Sequence, residues 1–208
     1  MKPRVIIVHG IHTNDNAGWM RYLEWRFLQN GWRTYVHTYG YARAILTRWQ
    51  NPGRAEALAD LIEPGDVVLG HSNGGCLAWM AAELGAPISG AILINPALDR
   101  DKLMGPQVKW VNLYTNRFDE AVPWAEMLFR GSHPWGTQGR DGISVPDVPR
   151  YRVVETSIPR VDAPAVRGHS AILATDALPA WSSVIVRQAE ARRYTPRAAR
   201  MNPTFARA

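Results

Sequence analysis

The chain has 208 residues, 46% of them hydrophobic and 20% charged, enough for one domain with a full core and short for two. That balance excludes wholesale disorder and a coiled coil, and no apolar run reaches the roughly 20 residues of a membrane helix. The net charge is +6, but from Arg187 onward six arginines face Glu190 alone, so the body of the chain is close to neutral and offers no basic stripe for a nucleic acid.

Val5 to Val8 is a short apolar run ending in His9-Gly10, the pattern of a buried parallel strand entering a loop. It is too short for the core of a signal peptide, and a cytoplasmic location is expected. Trp19 to Asn30 places Trp19, Leu23 and Phe27 at helical spacing, with Asn30-Gly31 as the stop. Trp32 to Thr38 reads as a second strand. Tyr41 to Ile62 reads as helix broken near Asn51-Pro52-Gly53. Asp66 to Gly70 is a third strand, Asn73 to Leu84 a helix, Ile88 to Ile94 a fourth strand, Lys109 to Tyr114 a fifth and Tyr151 to Glu155 a sixth. A closing helix starts near Asp176 to Pro179. Gly131 to Arg150, with four glycines and three prolines, is expected to be an irregular surface loop. Strands alternating with helices predict a three-layer α/β/α sandwich with a mainly parallel sheet of about six strands. Residues 1–192 are expected to form this single domain, and 193–208 a basic, poorly ordered tail. Cys76 is the one cysteine; it excludes an intrachain disulfide and reads as a small buried hydrophobe.

The segment Gly70-His71-Ser72-Asn73-Gly74-Gly75 matches G-x-S-x-G between a predicted strand and a predicted helix. A serine in so sharp a turn crowds its neighbours, which is why Gly70 and Gly74 carry no side chains. The turn lifts the hydroxyl above the sheet and aims a helix N-terminus at developing negative charge. A serine hydroxyl is a weak nucleophile near neutral pH and needs a base to take its proton, which calls for a histidine and a carboxylate elsewhere in the chain.

In these residues the chain resembles the α/β-hydrolase family, over nearly its whole length from Val5 to about Gln188. Against the family's eight strands it begins at the third, as a minimal member without a large cap, since the short stretch 95–108 leaves no room for one. The resemblance implies a serine nucleophile, an acid after the penultimate strand and a histidine after the last. Ser72 is the nucleophile. Asp119, followed by Val122-Pro123 as is common in the family, is the preferred acid; Glu120 beside it and Asp99 after the fourth strand are its rivals. His169, in Arg167-Gly168-His169-Ser170, is the histidine with both the chain order and the loop position. The competing assignments are a helix N-cap for Asp119 and a solvated loop residue for His169.

The family also implies an oxyanion hole made by backbone N–H groups of Asn73 and Ile11. His71, Trp124 and Met127 are expected to touch substrate, and Leu128 lies beside them. His9, His12 and Asp15 are metal-ligand types in one loop, with a spacing that matches no metal motif. No metal and no cofactor are expected. Serine rather than aspartate at the elbow argues against haloalkane and epoxide chemistry. The expected function is hydrolysis of carboxylic esters through an acyl-enzyme, on a small-molecule or acylated substrate. Thioester or amide cleavage by the same triad, and a non-enzymatic binding module retaining the fold, are the alternatives. No nucleic acid and no membrane span are expected, and self-association into a homo-oligomer stays open.

Overall fold

A computed structural model describes residues 3–10, 18–39, 48–123, 135–145 and 147–193. Six strands form one parallel sheet: β1 (Arg4–Val8), β2 (Arg33–His37), β3 (Val67–His71), β4 (Gly90–Ile94), β5 (Trp110–Thr115) and β6 (Tyr151–Glu155). Their order is β2-β1-β3-β4-β5-β6, with every neighbouring pair parallel. The helices are α1 (Gly18–Gln29), α2 (Asn51–Leu61), α3 (Asn73–Glu83), the short α4 (Gln138–Asp141) and α5 (Leu178–Arg193).

The central strands β3, β4 and β5 are buried along their whole length, as strands covered on both faces must be. Alternate residues divide between two cores. Val5, Ile7, Leu69, Ile92 and Tyr114 pack with Leu23 and Phe27 of α1 and Trp181 and Ile185 of α5. Ile6, Val8, Val68, Leu93 and Leu113 pack with Leu58 of α2 and Leu77 and Ala81 of α3. The α/β/α sandwich expected from the sequence is the fold observed.

One expectation needs correction and one is only partly visible. The break expected near Asn51-Pro52-Gly53 coincides with the start of α2: a 3-10 turn over Arg48–Gln50 leads into that helix, whose first turn contains Pro52. A proline there has no intrahelical N–H to lose. The part of the expected helix before it, 41–47, lies outside the described residues. The stretch 135–145, expected to be irregular surface loop, contains α4 and packs inward: Trp135 is 6% exposed and Gln138 is fully buried. Its glycines explain the difference. A Cβ on Gly136 would sit 2.2 Å from the Asp99 carboxylate, and one on Gly139 would sit 2.5 Å from the Asn95 backbone. Of the loose tail expected over 193–208, Arg193 is instead the last residue of α5, and 194–208 lie outside the described residues.

The strand order reverses between β1 and β3: from β1 the chain steps outward to β2, then returns across β1 to build β3 to β6. In an open parallel sheet the two loops leaving the carboxyl ends of such a pair diverge and leave a crevice. Here those loops begin at His9-Gly10 and at Ser72.

Candidate active site

Ser72 stands between the last residue of β3 and the first of α3, with φ 54° and ψ −122°. A non-glycine residue in that region costs about 1–3 kcal/mol and persists only where its surroundings hold it. Three backbone hydrogen bonds do so. Ser72 N donates to Ile94 O at 3.0 Å, and Ser72 O accepts from Gly75 N at 3.0 Å and Ala97 N at 3.1 Å. The glycines make the turn sterically possible. A Cβ on Gly70 would lie 2.6 Å from Gly74 O, and one on Gly74 would lie 2.3 Å from Val8 O. A Cβ on Gly10 would lie 2.8 Å from the Ser72 Cβ, so the His9-Gly10 loop passes directly against the serine.

Asp119 is buried at the carboxyl end of β5, in the loop beyond Asn116. Its Oδ2 faces His169 Nδ1 at 2.7 Å and accepts from Asn95 Nδ2 at 3.0 Å. Its Oδ1 accepts from Ala121 N at 3.0 Å and Val122 N at 3.4 Å. Burial alone pushes this carboxyl up. The hydrogen bond and charge of His169, with the Asn95 amide and the Val122 N–H, outweigh it, and the net shift is below the usual carboxylate range. The rivals stand elsewhere: Glu120 is exposed, and Asp99 lies against Gly136.

His169 sits in the loop between β6 and α5, its side chain 20% exposed. Asn116 clasps that loop to the Asp119 loop. Its Nδ2 donates to Val166 O at 3.0 Å, and its Oδ1 accepts from Phe118 N at 3.0 Å and Gly168 N at 3.4 Å. Gly168 has φ 114°, a conformation that glycine adopts without strain. No hydrogen bond joins Ser72 to His169 among the described residues. Such bonds are often long in a resting site and tighten around substrate.

His71 is enclosed beside the pair. Its ring lies 5.0 Å from that of His169 and edge-on to Trp19 at 5.6 Å. Nε2 meets Ser170 Oγ at 3.3 Å, while Nδ1 is buried without a hydrogen-bond partner. Burial first, and then the charge of His169, push His71 down to about 3. It is therefore a neutral ring under the His169 loop.

The Asn73 side chain is tied on all sides. Oδ1 accepts from Asn51 Nδ2 at 2.8 Å and from Trp135 Nε1 at 3.2 Å, and Nδ2 donates to Tyr39 OH at 3.3 Å. The Tyr39 hydroxyl donates to His9 O at 2.8 Å, and its ring stacks on His9 at 4.2 Å. This fixes the first residue of α3, whose backbone N–H has no partner within its own helix. Cys76, one turn on, is fully buried, and burial pushes its thiol up to about 12. It is an inert packing residue, as expected. Ile11, Trp124 and Met127, with Leu128, His12 and Asp15, lie outside the described residues.

Sequence reasoning missed Asn95, Asn116 and Trp135. Asn95 has φ 43°, a left-handed conformation in which asparagine is enriched, but nothing in Ile94-Asn95-Pro96 announces a contact with Asp119. Trp135 is hidden in a glycine- and proline-rich stretch.

No protein-family model matches the chain, and no curated protein matches it in sequence. Solved structures do match. Alpha/beta hydrolase domain-containing protein 10 from mouse is 16% identical with a TM-score of 0.61, covering 92% of this chain and 91% of its own. Est1E from Butyrivibrio proteoclasticus, solved with ferulic acid, is 14% identical with a TM-score of 0.55, covering 92% and 89%. A monoacylglycerol lipase from Paleococcus ferrophilus is 13% identical with a TM-score of 0.55, covering 90% and 95%. A parallel sheet of this order, with a serine at the strained turn between β3 and α3 and near-complete overlap with these structures, gives the chain the α/β-hydrolase fold.

Proposed function

We propose that this protein is a serine hydrolase of carboxylic esters, working through an acyl-enzyme on Ser72. The observation that carries the reading is the His169–Asp119 pair at 2.7 Å, whose histidine ring lies 5.0 Å from that of His71, the residue just before a serine in a strained strand-to-helix turn. In this reading Ser72 Oγ attacks the ester carbonyl carbon as His169 Nε2 takes its proton. His169 Nδ1–H donates to Asp119 Oδ2, which fixes the tautomer and stabilises the imidazolium. The carbonyl oxygen, now an alkoxide, accepts from the Asn73 N–H; a second donor from Ile11 completes the oxyanion hole. When the carbon–oxygen ester bond breaks, His169 gives the proton to the leaving alcohol. Water then attacks the acyl-serine, His169 takes a proton from it, and the acid leaves as Ser72 Oγ is reprotonated.

Esters are favoured over amides because an alkoxide leaves far more readily than an amine nitrogen anion, which must be fully protonated before the carbon–nitrogen bond breaks. Trp124 and Met127 are assigned to the acyl pocket from their place in the chain close after Asp119, and the substrate is a small molecule or an acylated carrier. The test is a series of p-nitrophenyl esters of rising acyl length. Wild type is expected to turn over the short esters with a steep optimum, and Ser72→Ala to lose turnover by at least about a thousandfold. Equal rates for both proteins would overturn the proposal.

A further inference from the structure

Phe118 is 37% exposed and lies between two guanidinium groups, with the Arg117 carbon 5.1 Å from its ring centroid and the Arg167 carbon 4.4 Å from it. Arg117 precedes Asp119 by two residues, and Arg167 precedes His169 by two. The aromatic ring thus joins the two loops that carry the acid and the base, and holds two positive charges where they meet. Both arginines are exposed, and neither forms an ion pair among the described residues. Glu155, at the end of β6, accepts at its Oε1 from the backbone N–H groups of Arg117 at 3.3 Å and Ser157 at 2.9 Å. Glu120 is exposed and takes no part in an ion pair among the described residues. Two like charges that share one ring repel each other, and no carboxylate among the described residues pairs with either.

Their place relative to the reaction gives them a use. Histidine hands its proton to the leaving oxygen, so the leaving half of an ester lies against His169. Two residues of extended chain span no more than about 7 Å, which puts the Arg167 backbone at the His169 end of the site. We propose that Arg117 and Arg167 make the site selective for esters whose leaving alcohol carries a carboxylate or phosphate. This rests on the ester-hydrolysis reading above and names its substrate class. The anion approaches from solvent and meets two guanidinium forks whose planes Phe118 orients.

Three acetyl esters with related leaving phenols test it: 4-acetoxybenzoate, 4-acetoxyphenyl phosphate and the neutral methyl 4-acetoxybenzoate. The readout is the ratio of kcat/KM for each anion to that for the methyl ester, so differences in phenol reactivity cancel between protein variants. In Arg117→Gln/Arg167→Gln the ratio is expected to fall about five- to tenfold for at least one anion, as two partly exposed charge contacts allow. Arg117→Lys/Arg167→Lys is expected to keep most of the preference, and 0.5 M salt to reduce it. An unchanged ratio for both anions overturns the inference while leaving the hydrolase reading intact. Turnover that survives Ser72→Ala, or none in wild type, overturns the hydrolase reading instead. The charge claim is then read from binding to the Ser72→Ala protein: 4-hydroxybenzoate should bind more tightly than its methyl ester, and equal affinity overturns it.

Discussion

Asn95 shows how much of this site depends on residues that do no chemistry. Its amide and the His169 ring share one oxygen of Asp119, so the carboxylate cannot rotate without losing one of them. Replacing Asn95 with glycine keeps the left-handed backbone accessible and removes only the amide. Misplacing Asp119 in this way should lower kcat between about ten- and a hundredfold, with KM less affected, and steady-state kinetics on a short ester checks this. Asp119→Asn should retain a trace of turnover where Ser72→Ala retains essentially none, because orientation is degraded while the nucleophile survives.

His71 makes a prediction in pH. Its pKa falls from the ordinary histidine value of 6.5 in the unfolded chain to about 3 in the folded one, so between those values the unfolded chain binds a proton that the native one does not. Stability from this group is complete above about pH 6.5 and drains away as pH falls toward 3. The thermal midpoint of wild type should therefore drop between about pH 6.5 and 4. His37, also lowered by burial, adds to the same slope. His71→Gln should flatten the slope without abolishing it, as a thermal-shift series across that range would show. The residues proposed to carry the chemistry are visible in the sequence because each belongs to a motif: Ser72 in G-x-S-x-G, Asp119 ahead of Val122-Pro123, His169 after the last strand. Asn95 and Asn116 are not, since an asparagine in a turn looks the same whether it braces a carboxylate or merely caps a loop.

At the scale of elements, apolar period and stop signals place all six strands and the helices α1, α3 and α5 to within a few residues. The misreading of 135–145 has a cause in its residue types. Proline and glycine read as breaks in the sequence, and Pro52 does mark a helix start, but Gly136 and Gly139 let 135–145 close onto Asp99 and Asn95. Both residue types mark a change of direction as readily as an interruption, and only the packing decides which. The tryptophans show the same dependence on context. Trp181 of α5 is fully buried, edge-on to Tyr114 at 6.3 Å, with its Nε1 donating to Pro164 O at 3.1 Å. Trp49, in the 3-10 turn ahead of α2, is 68% exposed. Trp181→Ala should cost about 3–5 kcal/mol in urea unfolding, whereas Trp49→Ala should fall within about 0.5 kcal/mol of wild type. Similar values for the two would contradict the packing of α5 on the sheet.

For the whole molecule, one parallel sheet with a single reversal of strand order puts the crevice beside Ser72, and the loops after β5 and β6 bring Asp119 and His169 together there. Among the described residues, Arg187 pairs with Asp162, and neither Arg187 nor Arg192 bonds to Ser72, Asp119 or His169. Truncation after Arg193 should accordingly leave ester turnover within about threefold and weaken retention on a cation exchanger; loss of activity would make the tail part of the working enzyme. The claim on which the rest depends is that Ser72 is a nucleophile activated by His169. Intact-mass spectrometry after treatment with a fluorophosphonate tests it without knowledge of the substrate. One phosphonyl adduct is expected, mapped to the Ser72 peptide, absent from Ser72→Ala and formed much more slowly in His169→Ala. An adduct that persists in Ser72→Ala, or wild-type protein that takes up none, would contradict it.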